Sequence, residues 1–345
     1  MGARQPKPCI NEILIFTYLN AIKSVLIRLY LYILTMKRKV FFFLAFSLLK
    51  GFASNAQSYK RISSLEFGLV GGVSHYTGDL VNTWFAPEGI GPSIGLITRW
   101  NPNPIITLRF SGTYNQVSGD DRWYPNIDER ANRNLHFKSD ILDFTGAVEL
   151  SLVQISPRQE KGIVPYIMTG LSVFSFKPKA QFDYDAFMNS KHASNLTSAE
   201  LARVQGDLRN LDGEWVDLQP LSTEGQESTE YNDRRRYSLT QLAIPVGLGV
   251  KFKLNKNWNI GLEYATRITF TDYLDDVSLS YPEPLFVQAH NGPIAAYMSD
   301  RSLNNPPLDL TESPRGDDSK FDLYSILGIS LTYRINSTRA KCPTF

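Results

Sequence analysis

From Leu239 to Asp276 the apolar side chains fall on every second position. Leu242, Ile244, Val246, Leu248, Val250 and Phe252 alternate with Ala243, Gly247, Gly249 and Lys251. After Asn255-Lys256-Asn257, Ile260, Leu262, Tyr264, Thr266, Ile268 and Phe270 alternate with Asn259, Gly261, Glu263, Ala265, Arg267 and Thr269. Period two belongs to a strand whose faces meet different surroundings, and so short a break between two such runs makes an antiparallel hairpin. The second face decides the class. A soluble sandwich would crowd it with long polar side chains; here glycine, alanine and single charges suit the narrow inside of a small closed barrel, with the apolar face turned to lipid.

The same alternation recurs along the chain. It predicts strands around Leu65–Ser74, Gly91–Asn101, Ile105–Val117, Leu135–Ile155 (the longest), Val164–Phe176, the two strands of the hairpin, and Phe321–Ile335. The connections alternate long and short, with short turns at Asn101–Pro104, Ser156–Gly162 and Asn255–Asn257 and two large insertions, 179–236 and 275–320. Within the first insertion Thr197-Ser-Ala-Glu200 reads as a capping box opening one short helix. Tight periplasmic turns opposite large outer loops are the habit of outer-membrane barrels. The prediction is a single eight-stranded antiparallel transmembrane β-barrel, all-β, with both termini periplasmic and no aqueous pore. A lipocalin-like soluble barrel would need its apolar faces inside, which the glycine-rich opposite faces oppose.

Charge and composition refine this picture. Of 36 Lys and Arg, eight fall in residues 1–56 beside only one acid, which leaves 28 basic against 33 acidic residues in the remainder. Nothing there suggests a nucleic-acid partner. Met36-Lys-Arg-Lys39, the run VFFFLAFSLL and Ser54-Asn55-Ala56 read as a signal peptide over 36–56, cleaved after Ala56. Residues 1–35 read as an upstream segment ahead of a true start at Met36, the competing reading being an unusually long signal. The barrel is expected over 57–336 and a tail over 337–345. Past the signal only Cys342 remains of the two cysteines, so no internal disulfide is available. No later stretch approaches a membrane helix, so a membrane-spanning mature chain must be a closed barrel. Trp100, Trp258 and Tyr333 fall near periplasmic strand ends, and Tyr76, Tyr114 and Tyr273 near outer ends, where aromatic girdles sit.

Several segments resemble a known family as a set: Leu65-Glu-Phe-Gly with Gly71-Gly72 and Tyr76-Thr-Gly78-Asp79-Leu80; Arg133–Ser139; Pro165-Tyr166 leading to Phe174–Pro178; Ile244–Val250; and Thr271-Asp272-Tyr273-Leu274-Asp275-Asp276-Val277. They resemble the PorG-like family of outer-membrane β-barrels associated with the type IX secretion system, over Ser64–Ile335, with the 179–236 insertion the main departure. The resemblance implies a non-enzymatic outer-membrane component of that apparatus, needing no cofactor and docking periplasmic ring proteins that include a lipoprotein.

The predicted inner faces collect Glu66, Arg99, Arg109, Asp143, Glu149, Lys251, Glu263, Arg267 and Arg334. Unpaired charges in a narrow barrel are costly, so these five bases and four acids are expected to neutralise one another as a plug rather than form an ion path. Two other functions stay open: a surface binding module built from the long loops, and a rim hydrolase using His75 with Asp79 or His136 with Asp140. No serine sits in a nucleophile setting, and Asp272, Asp275 and Asp276 lack the glycine turn and distal glutamate of a calcium loop.

Overall fold

The structure, a computed structural model, describes residues 63–336 apart from 82, 84, 85, 154–160 and 304–308. The expected signal peptide, the segment before it, the tail and most of the Ser156–Gly162 turn lie outside the described residues.

Eight long strands form the barrel: β1 (Ser64–Thr77), β2 (Gly91–Asn101), β3 (Ile106–Asp120), β4 (His136–Ser151), β5 (Gly162–Gln181), β7 (Thr240–Lys253), β8 (Trp258–Thr269) and β9 (Leu323–Asn336). Each pairs antiparallel with its sequence neighbour among them, β4 joins β5, and β1 closes the ring against β9 from Ser64↔Asn336 to Thr77↔Leu323. Full closure leaves no sheet edge for lipid to satisfy. The eight-stranded antiparallel barrel predicted by the alternation is the one observed.

Outward positions form an apolar belt. Leu69, Leu96, Phe110, Phe144, Leu248 and Ile329 are each about 60 % exposed, while their inward neighbours are mostly buried. In water such a belt would be an aggregation surface; in a bilayer it is the lipid-facing wall. The interior is packed, and glycine makes the room. A Cβ on Gly249 would lie 2.5 Å from the Tyr166 ring, so only glycine lets that tyrosine fill the lumen beside β7.

Two expectations are corrected. The longest strand is β5, at 20 residues, not the fourth strand, which ends at Ser151. β5 runs on past the membrane because its last residues still find partners, pairing Lys179, Ala180 and Gln181 with the short β6 (Trp215–Asp217). The outer loops are also more structured than the single helix expected. α1 (Asp128–Arg133) precedes β4. The 179–236 insertion holds α2 (Tyr184–Met188), α3 (Lys191–Ser194) and α4 (Ser198–Asn210), and the 275–320 loop holds α5 (Pro284–Asn291) and α6 (Pro293–Ser299). Only α4 carries a full capping box, Thr197 with Glu200. The others are too short to hold helical form by propensity and depend on packing. Phe182, Phe187 and Leu208 from one loop bury against Tyr297 and Met298 of the other, with Phe187 and Tyr297 edge to face at 5.5 Å. No described helix is long and apolar enough to cross a membrane.

Candidate functional site

The nine charged residues singled out in the sequence all lie on the inner face, and each meets an opposite charge. Period two dictates this, because each shares its strand's parity with glycines and alanines rather than with the lipid-facing side chains. Near the short-turn end Arg334 Nη2 lies 2.9 Å from Glu66 Oε1, which also accepts from Asn101 Nδ2 at 3.0 Å. At mid-height Arg99 Nε meets Glu149 Oε1 at 2.9 Å, Arg109 approaches the same carboxylate at 3.7 Å, and Lys251 pairs with it too. Arg109 also pairs with Glu263, whose second donor is the Tyr166 hydroxyl at 2.6 Å. Higher still, Arg267 Nε lies 3.0 Å from Asp143 Oδ2, and Asp143 accepts further from Tyr324, Ser172 and Thr145. Charges this buried are tolerated only when paired and hydrogen-bonded. They fill the lumen as cross-braces.

Above them the lumen turns apolar. Val117, Phe137, Ile141, Phe174, Phe176 and Tyr324 pack with Leu80, Leu274 and Val277 from the loops. The sequence signal for this layer is the same inward parity continuing past the membrane.

Against this layer three separate segments meet in an acidic seal. Tyr76 ends the inward face of β1 and Asp79 follows that strand, Asp272, Asp275 and Asp276 follow β8, and Asp322 precedes β9. The Tyr76 hydroxyl lies 2.6 Å from Asp275 Oδ2 and 2.9 Å from Asp322 Oδ1. Gly78 leaves the space this needs, since a Cβ there would stand 1.9 Å from Asp322 Oδ1. Asp322 Oδ2 accepts from Leu274 N–H and Asp275 Oδ1 from Val277 N–H, so each carboxylate also holds the backbone of the turn. Asp276, at a positive φ of 67°, accepts from Thr223 at 2.5 Å and Tyr237 at 2.6 Å, and its carbonyl accepts from Arg315. Arg315 in turn pairs with Glu224 at 3.1 Å. Arg133 grips Asp121 with two nitrogens and donates to the Asp79 and Arg315 carbonyls. Tyr273 N–H donates to the Thr271 hydroxyl at 3.2 Å and completes the turn.

Burial dominates the acidity of this seal. It pushes Asp275 up to about 8, helped by the charge of Asp79. It pushes Asp272 up to about 9, with Asp79 and Asp275 adding to it. Asp276 rises only to about 6, because Arg315 opposes the burial. The geometry agrees: one phenolic proton cannot serve two carboxylates, so a second proton must sit in the Tyr76–Asp275–Asp322 trio. Among the described residues no group of three or more His, Cys, Asp or Glu could hold a metal ion.

Tyr76 is therefore not part of an outer aromatic girdle. It is fully buried, and the parity it shares with Glu66 places it inside. Tyr273 is likewise drawn in, stacked on Tyr237 at 4.5 Å. Tyr114, Trp100, Trp258 and Tyr333 do face outward. Asp322 had the inward parity of β9 but was not singled out, and Glu224 and Arg315 lie in aperiodic loops that offered no signal. The His136–Asp140 pair is not made. His136 Nε2 accepts from Gln181 N–H at 2.9 Å, and Asp140 accepts from Tyr114 and Gln116. His75 packs its ring against Tyr264, and Asp79 is held by Asp317 N–H.

The chain matches the family described as "Domain of unknown function (DUF6089)" over residues 38–202 and 221–285, well over half its length. It belongs to that family. The two matched blocks contain every segment meeting at the seal except Asp322 and the Arg315 loop, and the gap between them falls in the 179–236 insertion. No curated protein matches this DUF6089 chain. Among solved structures it is similar to Neisserial surface protein A (TM-score 0.33, 9 % identity, covering 79 % of this chain and 96 % of that one). It is also similar to the outer membrane protein OprG from Pseudomonas aeruginosa (0.31, 10 %, 80 % and 97 %) and to the N-terminal β-barrel domain of Pseudomonas aeruginosa OprF (0.29, 10 %, 79 % and 97 %). The reading of the DUF6089 chain as an outer-membrane barrel rests on its own apolar belt and closed ring.

Proposed function

We propose that this protein is a non-enzymatic structural component of a type IX protein secretion apparatus, anchored in the outer membrane and docking periplasmic ring proteins, a lipoprotein among them. The observation that carries the first half is the filled lumen. Ion pairs brace its middle and apolar side chains close its outer mouth, so a barrel of this kind acts through its ends rather than through its bore. The PorG-like set of motifs supports the second half: Tyr76, Gly78, Asp79 and Thr271–Val277, scattered in sequence, converge on one seal. Docking would use the periplasmic end, through the turns Asn101–Pro104, Ser156–Gly162 and Asn255–Asn257 or the termini. The test is to delete the gene and measure export of type IX cargo. Cargo retained in the periplasm, and restored by the intact gene, is the expected result; normal export would reject the reading.

A second reading, a surface binding module, draws on a different feature. The two long outer loops share a buried core of their own, far more order than idle connections need. Replacing 179–236 and 275–320 by short turns separates the readings: export is retained under the first if docking is purely periplasmic, and surface binding is lost under the second.

A further inference from the structure

One side of the barrel carries a cluster of lysines just beyond its lipid-facing wall. On β3, β4 and β5 the apolar outward face ends at Tyr114, Leu142 and Val173, which are 42 %, 47 % and 45 % exposed. The same outward parity then brings Lys138 on β4 and Lys177 and Lys179 on β5, all exposed or half-buried. Lys138 and Lys177 stand four residues outward of Leu142 and Val173, about 13 Å along each strand. Strand tilt shortens that height, and the flexible lysine stems reach either way. Their ammonium groups therefore lie at the level of lipid headgroups.

The cluster is electrostatically unbalanced. Lys138 and Lys179 are direct cross-strand partners, and like charges placed so are destabilising. Compensation is thin. Lys138 lies over the Trp215 ring at 4.1 Å. Lys177 stands opposite Asp140 in register, yet among the described residues neither it nor Lys138 has a carboxylate within ion-pair distance. Lys179 Nζ is 3.9 Å from Asp140 Oδ2 and 3.7 Å from Asp217 Oδ1, too far for hydrogen bonds. Asp140 Oδ1 already accepts from Tyr114 at 2.7 Å and Gln116 at 2.8 Å. Three cations thus face two carboxylates, one of them engaged elsewhere.

The cluster is also one-sided. Across the barrel the outer end of the belt is uncharged: Phe270 follows β8, Phe321 precedes β9, and their rings meet edge to face. Arg236, before β7, is paired with Glu227 at 3.3 Å, and Arg122, beyond β3, with Asp120 at 2.5 Å. Lysines serving solubility alone would be spread around the rim. These three sit on two neighbouring strands.

We propose that this face binds a phosphate-bearing lipid of the outer leaflet, its phosphate bridging Lys138, Lys177 and Lys179 and its acyl chains lying along Leu142 and Val173. A phosphate between Lys138 and Lys179 replaces their repulsion by charge-assisted hydrogen bonds. The site is independent of the secretion reading.

Native mass spectrometry of the full chain in detergent tests it, by titration with diphosphoryl lipid A and with dephosphorylated lipid A of the same acyl pattern. Saturable retention of the phosphorylated lipid, about tenfold or more tighter than the other, is expected. Lys138→Gln, Lys177→Gln and Lys179→Gln should each weaken it about fivefold, and the triple variant should bind both lipids alike. Arg203→Gln, at an exposed position on α4, should leave binding unchanged. Where the triple variant fails to fold, as judged by heat-dependent gel migration, the single variants and the comparison of the two lipids carry the test. Equal binding of the two lipids by the unaltered chain would overturn the proposal, as would binding unchanged in every folded lysine variant. Displacement of the lipid by millimolar inorganic phosphate would show that the acyl chains take no part, and would overturn it too.

Discussion

Tyr76 has one phenolic proton and two carboxylate oxygens within reach of it, so the seal must hold an extra proton near neutrality. The sign of its pH dependence follows. Asp275 and Asp272 titrate higher in the folded chain, at about 8 and about 9, than in the unfolded chain at about 4. The folded state binds protons that the unfolded state releases, so their contribution is complete below about pH 4 and is lost as pH rises through about 8 to 9. Hydrogen-exchange protection factors in Thr271–Val277 should therefore fall between about pH 6 and about pH 9, and Asp275→Asn should flatten that fall. A protection profile that rises with pH would contradict the assignment. At mid-lumen, Glu149→Gln leaves Arg99, Arg109 and Lys251 short of their shared counter-charge. Thermal unfolding in detergent should show a loss of about 3–5 kcal/mol. The nine lumen charges were legible because parity alone sorts inward from outward. Tyr76 was misplaced by weighing its position near a strand end above its parity, and Glu224 and Arg315 were invisible because no period runs through the loops that carry them.

The elements show the same division between periodic and aperiodic signals. The barrel strands and the capped helix α4 announce themselves through repeating patterns and a local motif. Thr197→Ala removes that cap and should lower helix stability by about 1 kcal/mol, read as faster amide exchange across Ser198–Asn210 with the barrel strands unchanged. β5 outruns its predicted end because its tail pairs with β6, a partner some 35 residues further on in sequence. α2, α3, α5 and α6 went unseen because four to eight residues are too few to display a helical period. They exist only where Phe182, Phe187, Tyr297 and Met298 bury one another. That burial joins loops on either side of two barrel strands, and nothing local in either loop encodes it.

At the scale of the whole molecule the chain separates three environments: lipid outside, paired charge within, and an apolar and acidic closure at the outer mouth. The secretion reading presupposes this arrangement, since it places function at an end of a sealed barrel. The direct test is a spin-label series along β9 in nanodiscs, comparing Leu327, Ile329 and Leu331 with Ser330 and Thr332 by collisional access to oxygen and to a water-soluble nickel chelate. The structure predicts high oxygen access with little nickel access at the three odd positions, and little of either at Ser330 and Thr332. Nickel access at the odd positions, or a pattern without alternation, would contradict a lipid-facing belt around a closed interior.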